Sequence, residues 1–283
     1  MILRSLRAEF LKLRTIRSPW ITVVASSLVG ALLMFFAVRS FLRDALPSDV
    51  PFAVRNEMDS RIVGQVHQAL SGFMQIWHVA ALAWVVSMIS GETRDGFTRV
   101  NLVMIPRRWM YAFNKVVSAA AYFAIGTVAA LACHVGALQL ALAESGFHLN
   151  VLSREFVLTY LGWIAYMTLH APIAVALGLC FRRGPGGIVI SVLAVVIDGG
   201  LAASRAISWM LPWLPFANGY TLPSDSHHHQ VNVDPNALGR FGRYSSSGFI
   251  PEYHGVVYGT IYFVVVSLGL WAASTWWFAR RDA

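Results

Sequence analysis

The side chains of this sequence that could carry out chemistry are few, and most of them lie inside long apolar runs. Asp198 stands about 11 residues into one such run, roughly 17 Å along a helix that rises 1.5 Å per residue. A carboxylate that faces lipid at that depth costs roughly 2.5–3.5 kcal/mol, so we expect Asp198 to face other helices or a water-filled path. His78, His134 and His170 lie in comparable runs. Each of these four side chains either lines a path through the membrane or packs against a neighbouring helix.

The motifs of intramembrane metalloproteases, of intramembrane aspartyl proteases and of phosphate-binding loops are not found in the sequence. It contains no His-Glu-x-x-His pattern and no pair of aspartates deep in apolar runs. A phosphate-binding loop needs Gly-Lys-Ser/Thr, whereas Lys12 precedes Leu13 and Lys115 precedes Val116. We therefore expect no catalytic residue, no metal and no ATP bound by this chain in that way. The run His227 to His229 could hold a metal, but three consecutive histidines cannot all face one ion, which favours a solvated loop.

The elements that must position these side chains are membrane-spanning helices. Hydrophobic residues make up 57% of the 283 residues, charged residues only 13%, and the mean hydropathy is +0.57. The apolar residues come in runs of about 20, the length that crosses a hydrocarbon core of about 30 Å as a helix. These runs are apolar on every side, unlike the alternating strands of a β-barrel. Six spans are predicted, over Trp20–Val38, Leu70–Ser90, Val116–Ala141, Val157–Cys180, Gly187–Ser204 and Gly255–Phe278.

The orientation follows from the basic residues between the spans. With the N-terminus inside, 14 of the 22 basic residues fall on inner segments, which are also the shorter ones. Because short basic loops stay in the cytoplasm, we expect a multi-pass protein of the cell membrane with both termini cytoplasmic. The net charge of +8 is better explained by this topology and by anionic lipid than by nucleic acid.

Residues 1–18 form the first informative segment. Leu3, Leu6, Phe10 and Leu13 recur at three- and four-residue spacing, which predicts an amphipathic helix in the membrane interface. Ser18-Pro19 should end it and make an elbow before the first span. The elbow residues of interest are Glu9, Phe10, Lys12, Arg14 and Arg17. The alternative is a basic leader that only sets the topology.

Residues 91–108 form the second informative segment, which is long and apolar for a cytoplasmic connection. Phe97, Val100 and Met104 share one face of a predicted short helix between Gly96 and Pro106. An exposed apolar ridge of this kind inserts into a groove on a partner protein. The alternative is a helix that lies on the lipid headgroups.

Residues 205–254 form a long outer segment before the last span. Its start, residues 207–216, is rich in aromatic residues, is broken by Pro212 and Pro215, and carries Trp209 and Trp213. This composition suits a re-entrant helix that dips into the outer leaflet beside a solute path. The alternative is an interfacial loop anchored by the two tryptophans.

Two segments resemble the permease subunits of ABC-2 type ATP-binding-cassette transporters. Residues 8–20, AEFLKLRTIRSPW, are similar to the family's N-terminal elbow, E-W-x-K-L-R-x-x-R-S, and residues 91–108 to its coupling segment, G-E-x-R-x-G-T-x-x-x-x-L-x-x-P-R-R. The matching positions of the second segment are Gly91, Glu92, Arg94, Gly96, Leu102, Pro106, Arg107 and Arg108, followed by Lys115. The family's threonine after the second glycine is Phe97 here, with Thr98 one place later.

The resemblance implies one transmembrane domain over residues 1–283 that exports an amphipathic or hydrophobic solute such as an antibiotic, peptide, lipid or drug-like molecule. Two such permeases, identical or sibling chains, would each dock an ATP-binding subunit, and ATP and Mg²⁺ would lie in those two subunits. The coupling segment, including Phe97, Val100 and Met104, would make that contact. Two other classes remain open: an ion-coupled transporter that uses Asp198 and the membrane histidines, and a membrane scaffold or sensor.

Overall fold

The computed structural model describes residues 2–45, 52–94, 108–144, 150–181, 186–190, 192, 193, 195, 215, 218, 221–224 and 255–281. Nearly all of these residues are helical, and none of them lies in a strand. The helices with defined ends are α1 (Ile2–Thr15), α2 (Ser18–Ala45), α3 (Phe52–Arg94), α4 (Arg108–Glu144), α5 (Arg154–Leu169), α6 (Ala171–Cys180), α7 (Thr221–Ser224) and α8 (Gly255–Arg281).

Five stretches of helix are long and apolar enough to cross a membrane. They are Ser18–Arg43, Ala69–Arg94, Arg108–Glu144, Phe156–Cys180 and Val257–Arg280. Each coincides with one of the six predicted spans. The remaining predicted span, Gly187–Ser204, lies mostly outside the described residues. The chain is therefore an all-helical, multi-pass membrane protein.

The outer faces of these helices are apolar. On α2, Ile21, Val24, Leu28 and Leu32 follow one another at three- or four-residue spacing, and all four are exposed. A soluble protein rarely exposes so continuous an apolar stripe, whereas lipid is a suitable solvent for it. The stripe therefore marks a surface that faces either lipid or another membrane-embedded chain.

The span Phe156–Cys180 lies at the centre of the bundle. In its most apolar stretch 67% of residues are buried, against 22% in the span of α8. The sequence predicts one helix here, but the structure breaks it at His170, between α5 and α6. Pro172 explains the break, because it has no backbone N–H to donate to the carbonyl of Thr168. The break lies among buried neighbours, where freed backbone groups can find partners inside the protein.

Two helices extend well beyond the predicted spans. Helix α3 has 43 residues and α4 has 37, which correspond to about 65 Å and 55 Å at 1.5 Å per residue. Both exceed a hydrocarbon core of about 30 Å. Residues 39–69, predicted as an outer loop, thus lie largely in the ends of α2 and α3. Near that end Arg39 pairs with Glu144 at 3.0 Å and ties α2 to α4.

The short helix α7 belongs to the predicted outer segment 205–254 and packs against α5. A Cβ atom at Gly162 would overlap the carbonyl group of Leu222 and the Cα atom of Pro223. Only glycine allows the two backbones to come so close. Most of the outer segment, including Trp209 and Trp213, lies outside the described residues.

Replacing Gly126 of α4 with alanine is expected to destabilise the protein by about 1–3 kcal/mol. The added methyl group would overlap the ring of Trp77, which is fully buried and donates its indole N–H to Thr127 Oγ1 at 3.0 Å. The thermal unfolding midpoint of the purified protein in detergent measures the effect.

Gly136, ten residues further along the same helix, supplies the matched control. Apart from its chain neighbours and the backbone of its own helix, no described atom lies within 4 Å of a Cβ at Gly136. Alanine there should leave stability unchanged or raise it by about 0.5–1 kcal/mol, because alanine is the better helix former. Equal unfolding midpoints for the two variants would contradict the close packing of α4 on Trp77.

Candidate functional site

Five polar side chains from three helices meet at one end of the bundle, and we call them the charge cluster. They are Glu9 and Lys12 of α1, Glu92 of α3, and Tyr111 and Lys115 of α4. Lys115 is at the centre, with its Nζ atom 2.7 Å from Glu9 Oε2 and 2.7 Å from the Glu92 carboxylate. Its side chain is completely buried. The cluster therefore joins the N-terminal helix to the bundle through a buried ammonium group.

The remaining members complete the network. Lys12 Nζ lies 3.3 Å from Glu92 Oε1 and 3.4 Å from Glu9 Oε1. Tyr111 donates its hydroxyl proton to Glu92 Oε2 at 3.0 Å, and its ring centre lies 5.4 Å from Lys115 Nζ. Two carboxylates and two ammonium groups leave the cluster with no net charge. This balance matters because a buried charge without a partner is costly.

Local helical spacing explains how the cluster forms. Glu9 and Lys12 are three residues apart on α1, and Tyr111 and Lys115 four apart on α4, so each pair shares a helix face. Glu92 lies in the last turn of α3.

Burial lowers the pKa of Lys12, but the carboxylates of Glu92 and Glu9 together raise that pKa by more, and the net shift is upward. Lys12 thus stays charged at neutral pH, and its stabilising effect is lost only as the pH rises through this raised pKa.

The bend between α1 and α2 is fixed by side chains on three helices. Trp20 donates its indole N–H to the carbonyl of Leu13 at 2.9 Å and so caps the end of α1. Trp84 of α3 donates to Ser18 Oγ at 3.2 Å. Tyr122 of α4 donates to the carbonyl of Pro19 at 3.3 Å. The bend is therefore held by both α3 and α4, close to the charge cluster.

A second anchor lies at the start of α4. The Arg108 guanidinium donates to the carbonyl oxygens of Phe278 at 3.2 Å and Ala279 at 2.8 Å, near the end of α8. A cation at a helix C-terminus is favourable because the last carbonyls carry partial negative charge. Arg108 thus ties α4 to the last span, just as Glu92 ties α3 to the N-terminal helix. Residues 95–107 connect these two anchored ends.

The described residues of the predicted elbow helix and coupling segment lie in the charge cluster, on the surface and, for Arg108, in the anchor to α8. Glu9, Lys12 and Glu92 belong to the cluster, whereas Phe10, Arg14, Arg17 and Arg94 are exposed. The predicted ridge and its flanks, Gly96, Phe97, Val100, Met104, Pro106 and Arg107, lie outside the described residues, as do Asp198 and His227 to His229.

Sequence reasoning singled out neither Tyr111 nor the central position of Lys115. One signal was present. Lys115 precedes an apolar run and needs a carboxylate partner if it is buried, and Glu9 and Glu92 are acids on the same predicted side of the membrane. Charge pairing across inner segments would therefore have brought these three residues together.

The membrane histidines lie deep in the bundle. The rings of His78 and His170 are 4.3 Å apart between centres, and both residues are fully buried. His170 Nδ1 lies 2.8 Å from the carbonyl of Tyr166, and His134 Nδ1 lies 2.7 Å from that of Ala130. Among the residues that the structure describes, no group of three or more His, Cys, Asp or Glu side chains could hold a metal ion.

We compared the chain with protein-family models, with curated proteins and with solved structures, and none of the three comparisons gave a match. The class of this protein is defined by its fold and its site. It is an all-helical multi-pass membrane protein with a neutral charge cluster that ties its N-terminal helix to the bundle.

Proposed function

We propose that this chain is the transmembrane permease subunit of an ATP-driven exporter of the ABC-2 type. It moves an amphipathic or hydrophobic solute outward through the membrane. Two ATP-binding subunits supply hydrolysis of ATP with Mg²⁺, and two permeases, identical or sibling, form the solute path. In this proposal α1 is an interfacial elbow helix, Gly187–Ser204 is a further span, residues 205–254 contain a re-entrant element, and both termini are cytoplasmic.

One observation carries the proposal. The two segments that resemble the family are about 80 residues apart in sequence, yet Glu9 and Lys12 of the first lie in one charge cluster with Glu92 of the second. Lys115, which follows the coupling segment, is the bridging cation. Independent motifs that meet in space support a shared role, since a basic leader that only sets topology has no need of buried ion pairs.

The proposed mechanism of coupling follows from the anchors at Glu92 and Arg108, on either side of residues 95–107. A partner that pushes on residues 95–107 displaces Glu92 at one end and Arg108 at the other. Glu92 passes the displacement to α1 and α4 through Lys115, and Arg108 passes it to α8 through the carbonyls of Phe278 and Ala279. An ammonium group on a flexible stem keeps its carboxylate partners through small shifts, because its three donors rotate. The charge cluster thereby acts as a joint between helices.

The experiment is affinity capture of the tagged chain from its native membranes in mild detergent, followed by mass spectrometry. We expect an ATP-binding subunit to be captured with it, and native mass spectrometry should give two permeases and two ATPases per complex. Recovery of an active transporter without any ATP-binding subunit would overturn the proposal. A functional complex with one permease for two ATPases would overturn its dimeric part.

A second candidate function rests on the paired membrane histidines. Two buried imidazoles whose centres lie 4.3 Å apart are candidates for a proton relay, because histidine is the side chain that changes charge near neutral pH and such residues mark proton paths in transporters. Transport by proteoliposomes separates the two candidates. Uptake that needs ATP and persists in a proton ionophore belongs to the exporter, whereas uptake that needs only a pH gradient belongs to the ion-coupled alternative.

A further inference from the structure

A cleft of about 460 Å³ opens on the side of the bundle between the first turn of α4 and the last third of α8. Trp109 of α4 forms one wall, and Trp271 and Trp276 of α8 form the other. Trp109 and Trp276 are both about half exposed, at 51% and 57%. Tryptophans concentrate where a membrane protein meets the lipid headgroups. The cleft is therefore at headgroup level and opens toward lipid.

The cleft has basic groups at its end. Arg108 lines it, and the Arg280 guanidinium lies 4.0 Å from the ring centre of Trp276. A guanidinium held over an indole by a cation–π contact can still donate two parallel hydrogen bonds from its edge to a phosphate. The described residues that line the cleft include no carboxylate. The positive charge of Arg108 and Arg280 therefore complements an anionic ligand.

The interior of the cleft is apolar with two polar atoms. Thr275 Oγ1 and Trp271 Nε1 have no hydrogen-bond partner among the described residues, and Thr275 is more than nine-tenths buried. Thr275 precedes Arg280 by five residues, about 7.5 Å along the helix. Along α8 the cleft thus runs inward from its cationic end at Arg280, past Thr275, to Ala272 and Trp271, and Arg108 and Trp109 of α4 lie beside its outer end.

We propose that this cleft binds one anionic phospholipid. Its phosphate lies against Arg280 and Arg108, its glycerol group lies between Trp109 and Trp276, and an acyl chain runs inward along α8 past Ala272. The cationic end and the apolar lining match the headgroup and the acyl chain of a phospholipid, and basic pockets between membrane helices are known to hold anionic headgroups. Since Arg108 also anchors the end of α8, an occupied cleft stabilises that anchor. This inference depends on the membrane class of the protein and not on the proposed exporter function.

The test is native mass spectrometry of the full-length chain in detergent, titrated with dioleoyl phosphatidylglycerol or dioleoyl phosphatidylcholine. We expect one retained phosphatidylglycerol per chain and a weaker affinity for phosphatidylcholine. Arg280→Gln should weaken phosphatidylglycerol binding by about fivefold and reduce the preference between the two lipids. Ala272→Phe, which fills the cleft and keeps every charge, should abolish the retained lipid.

The matched control is Arg14→Gln, which removes an exposed arginine of α1 outside the cleft. It should bind phosphatidylglycerol as the unmodified chain does. Equal losses in the Arg14 and Arg280 variants would show non-specific attraction to a basic surface and overturn the proposal. Equal affinity for the two lipids, or unchanged binding in Ala272→Phe, would also overturn it.

Discussion

Replacing Lys115 with methionine is expected to lower the free energy of unfolding by about 3–5 kcal/mol. The substitution keeps an unbranched side chain one atom shorter but leaves Glu9 and Glu92 in the charge cluster with only Lys12 as a cation. Lys12 lies at 3.3–3.4 Å from these carboxylates, a longer distance than the 2.7 Å of Lys115. A buried carboxylate that loses its close partner is strongly destabilising. Thermal unfolding of the purified protein in detergent measures the loss.

Two further variants show whether the loss arises from the buried pairs. Lys12→Met should cost about 1 kcal/mol or less, because the Lys12 side chain is 37% exposed and water screens its pairs. The double variant Glu9→Gln with Lys115→Met removes one buried charge of each sign. It should therefore lose less stability than the sum of the losses measured for Glu9→Gln alone and Lys115→Met alone. An unfolding midpoint of Lys115→Met equal to that of the unmodified chain would rule out the charge cluster.

If the proposed exporter function holds, replacing both Phe97 and Met104 with aspartate should release the ATP-binding subunit from this chain. The two residues lie on the predicted apolar ridge, and the structure anchors both ends of the segment that carries it, at Glu92 and at Arg108. Apolar anchors in a partner groove contribute about 2 kcal/mol or more each, so the double variant should weaken capture of the ATPase on the order of 1,000-fold. Capture of the ATPase at equal permease levels, together with ATP-dependent transport, measures the result.

The control substitutes an exposed apolar residue elsewhere. Leu152, in the turn between α4 and α5, is 77% exposed, and the proposed topology places it on the opposite side of the membrane. Leu152→Asp should leave ATPase capture and transport unchanged. If the Phe97 and Met104 double variant also retains the ATPase and transports normally, the ridge is a lipid contact.

The fold class and five of the spans were predictable from sequence because both depend on local composition. A run of about 20 apolar residues has few alternatives to a membrane helix. The ends of the helices were less predictable. Polar residues such as those before Ala69 in α3 continue a helix without any apolar signal, so hydropathy located the span but not the start of the helix that contains it. The break at His170 has a local cause in Pro172, but a proline within an apolar run bends some helices and interrupts others.

The charge cluster was harder to predict than any helix. Glu9, Glu92 and Lys115 belong to segments of no common periodicity, and their meeting depends on how α1, α3 and α4 pack. Sequence indicated that Glu9 and Glu92 mattered, through the resemblance of their segments to one family. The need of a buried Lys115 for a carboxylate was the one signal that they share a lysine, and it does not by itself place the three residues together, since pairing over about 100 residues is a tertiary property.

The continuity of α3 has a mechanical consequence. It runs without interruption from Phe52 to Arg94, more than twice the thickness of the hydrocarbon core, and its last turn carries Glu92. A rod of this kind that pivots within the bilayer behaves as a first-class lever. A tilt that moves the Glu92 end in one direction moves the Phe52 end in the other, and no loop has to refold for the signal to cross the membrane. Paired spin labels at exposed positions of α2 and α3 would detect this as distance changes of opposite sign on the two sides of the bilayer.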